Sequence, residues 1–166
     1  KAALFQPMFL VDILATENSH TEIDRVKEAA LAKPLQSIPF DVRKSTVALF
    51  MAELLYRLVR GGVPNSPLFD YVYNSVVALD EMKEGVFNFH LWFMVGLSRY
   101  LGFFPADEYR EGAFFDIENG TFTTEPPRSG LFFNADNSLL LAQLMEISPS
   151  ELGTLKMSRI QRKEFI

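Results

Sequence analysis

VFNFHLWFMVGLSRYLGFFP, running from Val86 to Pro105, is the stretch whose reading decides the fold. Set on a helix from Val86 to Leu101, its few polar residues (Asn88, His90, Ser98, Arg99) do not gather on one side. A surface helix carries an apolar stripe with a polar back, so this pattern predicts a central helix enclosed by other elements. Gly96 in its middle costs about 1 kcal/mol of helix stability relative to alanine, and close approach by another helix is a physical reason to keep it. Gly102 then ends the helix and Pro105 stops it resuming.

Outward toward the N-terminus, Ser66 as cap and Pro67 at the first helical position predict a helix with Phe69, Val72, Tyr73 and Val76 inward. It runs down through Asp80-Glu81-Met82-Lys83-Glu84 to Gly85. Before it, Asp41 caps a long helix whose stripe is Val47, Phe50, Met51, Leu54, Leu55 and Leu58, ended by Gly61-Gly62. Its outer face carries Arg43, Lys44, Glu53, Arg57 and Arg60, with Glu53 and Arg57 spaced for an i,i+4 pair. Pro34 and Pro39 bracket a connector. Phe9 to Leu14, rich in β-branched and apolar residues, reads as a strand, and Glu17-Asn18-Ser19-His20 as a polar loop. Thr21 to Lys33 is open between a helix, through Ile23, Val26, Ala30 and Leu31, and a second strand; periodicity alone leans to helix. Lys1-Ala2-Ala3-Leu4 reads as a chain entered partway through.

Toward the C-terminus the pattern changes. Phe114 to Phe122 holds an Asn119-Gly120 turn between strand-like arms, the signature of a β-hairpin inserted among helices. Asp136 or Ser138 opens a further helix with Leu139, Leu140 and Leu144. Ser148-Pro149-Ser150-Glu151 and Ser158-Arg159-Ile160-Gln161 each have capping-box spacing and predict two more helix starts. The second leaves Ile160, Phe165 and Ile166 without a completed pattern, and these join Phe9 and Val11 as residues expected at the surface.

Composition bounds the chemistry. The 166 residues, 48% hydrophobic and 22% charged, suit one globular core plus a fragment. No cysteine is present, which excludes disulfides, thiol catalysis and zinc-thiolate sites, and His20 and His90 stand apart, against a histidine metal site. There is no run of about 18 apolar residues and no leader pattern, so a cytoplasmic protein without a membrane span is expected. A net charge of −5 argues against a strongly basic nucleic-acid surface.

The carboxylates Asp80/Glu81/Glu84 and Asp107/Glu108/Glu111 with Asp116/Glu118 have no spacing that asks for an acid–base pair, and read as solvated surface. Asp116 to Gly120 lacks the calcium-loop register and reads as a hairpin turn. No phosphate loop, nucleophile elbow or metalloprotease motif occurs, so no enzyme activity and no cofactor is expected. On the central helix, Asn88, Trp92, Val95 and Arg99 fall near one face. They are either the lining of a shallow pocket for an apolar side chain with an acidic flank, or, for Trp92, plain core.

Several segments together resemble RecO, the bacterial recombination mediator family, most closely its Bacteroides-type members. They are Ala3-Leu4-Phe5-Gln6-Pro7, Ala48 to Arg57 (ALFMAELLYR), Leu68-Phe69-Asp70-Tyr71, and Phe89-x-Leu91-x-Phe93 leading to Leu101-Gly102-Phe103-Phe104-Pro105. The resemblance implies a mainly α chain: residues 1–35 as the C-terminal remnant of an OB-fold barrel, with strands at Phe9–Ala15 and about Glu22–Ala30, then residues 36–166 as a helical domain with an inserted β-hairpin. Many members carry a four-cysteine zinc site after the Leu-Gly-aromatic-x-Pro motif; with no cysteine here, zinc is not carried over. It further implies a non-enzymatic DNA-repair role: binding single- and double-stranded DNA, RecR and the acidic, Phe-ending tail of single-strand-binding protein, loading RecA and annealing strands. Phosphate contacts would fall to Arg25, Lys27 and Lys33 on the barrel remnant and to Arg43, Lys44, Arg57 and Arg60 on the long helix. Trp92, Val95 and Arg99, chosen from helical spacing, would form the tail pocket. The alternative is a structural helical interaction domain similar to RecO only in packing.

Overall fold

The computed structural model describes residues 4–16, 25–59, 65–106 and 108–166. Packing divides the chain into two units, Lys1–Val63 and Pro64–Ile166. The long helix therefore clusters with the strands that precede it.

In the first unit, β1 (Leu10–Thr16) pairs antiparallel with β2 (Arg25–Lys33), with register shifts between Leu10 and Val11 and between Leu14 and Ala15. The open reading of Thr21 to Lys33 thus resolves as strand from Arg25 onward; residues 17–24, including the expected strand start at Glu22, lie outside the described residues. Glu28-Ala29-Ala30-Leu31 has helical propensity, and cross-strand pairing overrides it. Ile13, Leu14, Val26 and Leu31 are all exposed. α1 (Val42–Leu58) is capped by Asp41, whose side chain accepts from Arg43 N at 2.9 Å. The helix ends before Gly61-Gly62, which lie outside the described residues. Met51 and Ala48 are buried and Leu58 is exposed. Lys44 corrects the expected outer face. It shares the covered side with Ala48 and Met51 at helical spacing, is only 4% exposed, and donates from Nζ to Ser37 Oγ at 2.6 Å.

In the second unit, α2 (Ser66–Glu81) is capped by Asn65 rather than Ser66, with Leu68 N donating to its side chain at 3.0 Å. Its covered stripe is turned by one residue from the expected one, so that Leu68, Val76 and Leu79 are buried and Phe69 is exposed. Asp80, expected in solvent, is buried on the same face as Val76 and Leu79. α3 spans Val86–Leu101 as the spacing predicts, begins at Gly85 and ends at Gly102, whose N–H donates to Ser98 O. It packs against α2 and against the helix that follows the small sheet, and Phe89, Leu91, Phe93 and Leu97 have essentially no exposed surface. Gly96 admits an aromatic ring rather than a helix backbone: a Cβ there would lie 2.2 Å from the Tyr71 hydroxyl. That hydroxyl donates to Phe93 O at 2.9 Å.

β3 (Phe114–Asp116) and β4 (Thr121–Thr123) form the expected hairpin, and β5 (Phe132–Phe133), which no sequence signal marks, adds to its other side in the order β4-β3-β5. Asp116 is buried, not solvated: it ties the turn by accepting from Glu118 N and Asn119 N at 3.0 and 3.1 Å. α4 (Ala135–Glu146) is capped by Asn134, one turn before Ser138, because Asn134 Oδ1 accepts from Asn137 N at 2.9 Å. Its buried side is Leu140, Leu141 and Leu144, whereas Leu139 is exposed. Both capping boxes form, the first on a single 3₁₀ turn at Pro149–Glu151 and the second on α5 (Arg159–Glu164). Phe165, expected at the surface, instead packs on Phe133 with ring centroids 4.6 Å apart, while Ile160 and Ile166 are exposed.

Candidate partner-docking site

Trp92, Val95 and Arg99 sit on successive turns of α3, facing the C-terminal end of α4. The two are joined by side chain to backbone bonds: Trp92 Nε1 donates to Ile147 O at 3.0 Å and Arg99 Nη2 to Met145 O at 3.2 Å. Those carbonyls lie at the helix end, where intrahelical partners run out. Trp92 is half-buried, with Phe89 and Tyr71 at centroid distances of 5.2 and 5.9 Å. Val95 is half-buried as well, and only Arg99 of the three is exposed. Asn88 belongs to the interior: its Nδ2 donates to Leu155 O at 2.9 Å and to Leu152 O at 3.4 Å, and its Oδ1 accepts from Arg162 at 3.3 Å. The helical face read from spacing is therefore mostly a seam between elements, open only at its Arg99 end.

At that end lies a cleft of about 500 Å³, lined by Phe104, Pro105 and Tyr109 on one wall and Leu139, Ala142 and Met145 of α4 on the other, with Glu108 and Glu146 also bordering it. The Arg99 guanidinium stacks over the Phe104 ring, 3.7 Å from its centroid, so the cation is held at the cleft through two of its lining residues, Phe104 and Met145. Five N–H donors on a planar fork leave capacity for a carboxylate beyond the one bond to Met145 O. Sequence reasoning misses this cleft. Phe104 and Pro105 read as part of a helix stop and Leu139 as core, and only the fold brings the two together.

The cations proposed for phosphate contact are scattered. Arg25 and Lys27 are exposed on β2, with Lys27 at the register shift opposite Leu14 and Ala15, and Lys33 is half-buried at the strand end. Arg43 Nη2 pairs with Asp41 at 2.6 Å, and this hydrogen-bonded guanidinium holds the Asp41 carboxyl well below the usual carboxylate range. Arg57 pairs with Glu53 at 2.7 Å. Lys44 is buried, which removes it from any phosphate-contacting surface, and Arg60 lies outside the described residues. Among the described residues no cluster of His, Asp and Glu is arranged to hold a metal, and no helix is long and apolar enough to cross a membrane.

A helix-dominated module with small antiparallel sheets and a cleft of mixed apolar and polar lining, edged by a cation, is the class that these features define. The family model for the recombination protein O C-terminal region matches residues 39–165. The DNA repair protein RecO of Bacteroides fragilis is 40% identical over 164 residues, covering 98% of this chain and 68% of that one. That of Phocaeicola vulgatus is 37% identical over 163 residues, again 98% and 68%, and that of Flavobacterium johnsoniae 30% over 147 residues, 89% and 61%. No solved structure matches the chain significantly. The chain belongs to the RecO family of DNA repair and recombination proteins.

Proposed function

We propose that this chain is a non-catalytic recombination mediator that engages RecR, DNA and the acidic tail of single-strand-binding protein, and so helps load RecA and anneal strands. In this reading residues 1–35 are the end of an OB-fold domain and residues 36–166 the helical domain, working in the cytoplasm. The observation that carries the docking role is the exposed Arg99 guanidinium fixed beside the Phe104–Met145 cleft. An apolar slot for a terminal phenylalanine next to a planar cation for its α-carboxylate gives orientation as well as affinity. Trp92 acts beneath the site by holding the end of α4 through Ile147 O, with Val95 half-buried beside it on α3. Arg25, Lys27, Lys33, Arg43 and Arg57 are the cations proposed to meet phosphate.

Titrating a tail peptide against the wild type and Arg99→Glu tests the reading. The substitution should weaken binding at least tenfold, about 1.4 kcal/mol, with circular dichroism showing both folded. Equal affinities remove Arg99 from the site. No binding by the wild type shifts the weight to a structural interaction domain.

A further inference from the structure

Asn119-Gly120 is the single Asn-Gly step in the sequence. In an unfolded chain this pair is chemically unstable, because glycine has no Cβ to keep its backbone nitrogen away from the asparagine side chain. The Gly120 nitrogen attacks Asn119 Cγ, and the new C–N bond closes a succinimide ring. The Cγ–Nδ2 bond breaks, and ammonia departs with the proton taken from the Gly120 N–H. Water then adds to one of the two ring carbonyls and reopens the ring. Attack at one leaves aspartate; attack at the other leaves isoaspartate, in which the main chain runs through the side chain.

The hairpin holds both partners of that reaction. The Gly120 N–H donates to Asp116 O at 2.8 Å, which fixes the attacking nitrogen in the turn. Asn119 Nδ2, the leaving group, donates to Asp116 Oδ2 at 2.8 Å. The other carboxylate oxygen accepts from Glu118 N and Asn119 N at 3.0 and 3.1 Å. Asp116 is only 6% exposed and sits in the central strand, paired with Thr121 on β4 and Phe132 on β5, so it cannot follow Asn119 into another conformation. The Asn119 amide is also the foremost cause that keeps the Asp116 carboxyl below its ordinary pKa. Bringing Cγ over the Gly120 nitrogen requires these bonds to break first. We propose that Asn119 is a latent deamidation site gated by Asp116, closed while the hairpin is intact and open when the turn detaches. The product changes the fold. Aspartate at position 119 sets a second acceptor-only carboxylate against the buried one in place of an amide donor. Isoaspartate lengthens the main chain between β3 and β4. Either change loosens the turn, and refolding does not reverse it.

The whole chain, native and unfolded in guanidinium at the same mildly alkaline pH, tests the gate. Peptide mapping by mass spectrometry and labelling by an isoaspartyl methyltransferase read the two products. The unfolded chain should convert at Asn119 ahead of Asn74 and Asn137, which precede serine. The native chain should convert at Asn119 at least about tenfold more slowly, since a hydrogen bond to a charged group must be given up. Asp116→Asn keeps an oxygen for the Glu118 and Asn119 N–H groups but removes the acceptor of the Asn119 amide. Folded, this variant should deamidate several-fold faster than the folded wild type. Amide exchange at Gly120 gives a reading that needs no variant: as guanidinium is added below the unfolding midpoint, exchange and deamidation should accelerate together. Asn119→Asp, the product without the reaction, should lower the urea midpoint. A native chain that deamidates as fast as the unfolded one overturns the proposal, as does a folded Asp116→Asn chain no faster than the wild type. So does deamidation that stays constant while Gly120 exchange rises, or an Asn119→Asp chain as stable as the wild type.

Discussion

At the residue scale, Gly96 shows how a sequence signal can be right in kind and wrong in partner. Close approach is legible, because a glycine weakens the middle of a buried helix unless a neighbour needs the space its missing side chain leaves. That the intruder is the Tyr71 ring is not, since nothing in the spacing ties position 71 to position 96. Alanine at position 96 gains up to about 1 kcal/mol of helix propensity, but its Cβ would fall 2.2 Å from the Tyr71 oxygen. Forcing that ring aside should cost about 1–3 kcal/mol, so Gly96→Ala should lower the urea midpoint at an unchanged denaturant slope. His90 gives a pH signature. Burial, and then the charge of Arg162, lower its pKa below the ordinary 6.5. The unfolded chain therefore takes up its proton first as pH falls. Stability should be full above pH 6.5 and decline below it until the folded-state pKa is passed. Unfolding curves between about pH 5 and 7 should show that slope, and His90→Gln should flatten it. At the cleft, Glu146 borders the place proposed for an acidic tail, so Glu146→Gln should tighten tail binding by a few-fold, read from the same peptide titration.

At the element scale, α3 is legible to the residue because an almost wholly apolar run between two glycines leaves little choice. Cap positions are less so. Asn65 and Asn134 do the capping where the sequence points to Ser66 and to Asp136 or Ser138, since each segment offers several suitable side chains within a turn or so and only the backbone path decides. The short β5 carries no signal of its own; two phenylalanines become a strand because β3 is there to pair with them. α5 is held by contacts far apart in sequence, Arg162 to Asn88, Asn137 to Glu164 and Phe165 on Phe133, and by a local bond from Arg162 to Met157 O. Asn88 lies at the centre, bonded to two backbone carbonyls and to Arg162. Asn88→Leu would leave those carbonyls without the amide that serves them, each at about 1–3 kcal/mol. Amide exchange should then show residues 152–166 opening first while the centre of α3 stays protected; uniform loss of protection would contradict the clasp.

At the scale of the whole molecule, charge bears on the proposed contact with DNA. Acidic residues outnumber basic ones, 21 to 16, so the general field opposes a polyanion and the proposed DNA contact rests on a few local cations. In the sequence Arg25, Lys27, Lys33, Arg43, Lys44, Arg57 and Arg60 look alike, because periodicity shows which residues share a face but not which face is covered. The structure separates them. Lys44 is buried against Ser37, and Arg43 and Arg57 are engaged in ion pairs that would have to be exchanged for phosphate. Arg25 and Lys27 remain the exposed cations of the β2 strand. Each phosphate neutralised on a duplex contributes about −0.9 to the slope of log K against log salt, so two contacts predict a slope of about −2. Fluorescence anisotropy of a labelled duplex across a salt series should give weak binding with about that slope. Replacing Arg25 and Lys27 by alanine should make it shallower by about 2. Lys44→Ala should leave the slope unchanged while lowering stability by about 1.5–3 kcal/mol, the worth of a hydrogen bond made by a charged group. A steep slope that survives the double substitution would place the DNA contacts elsewhere on the chain.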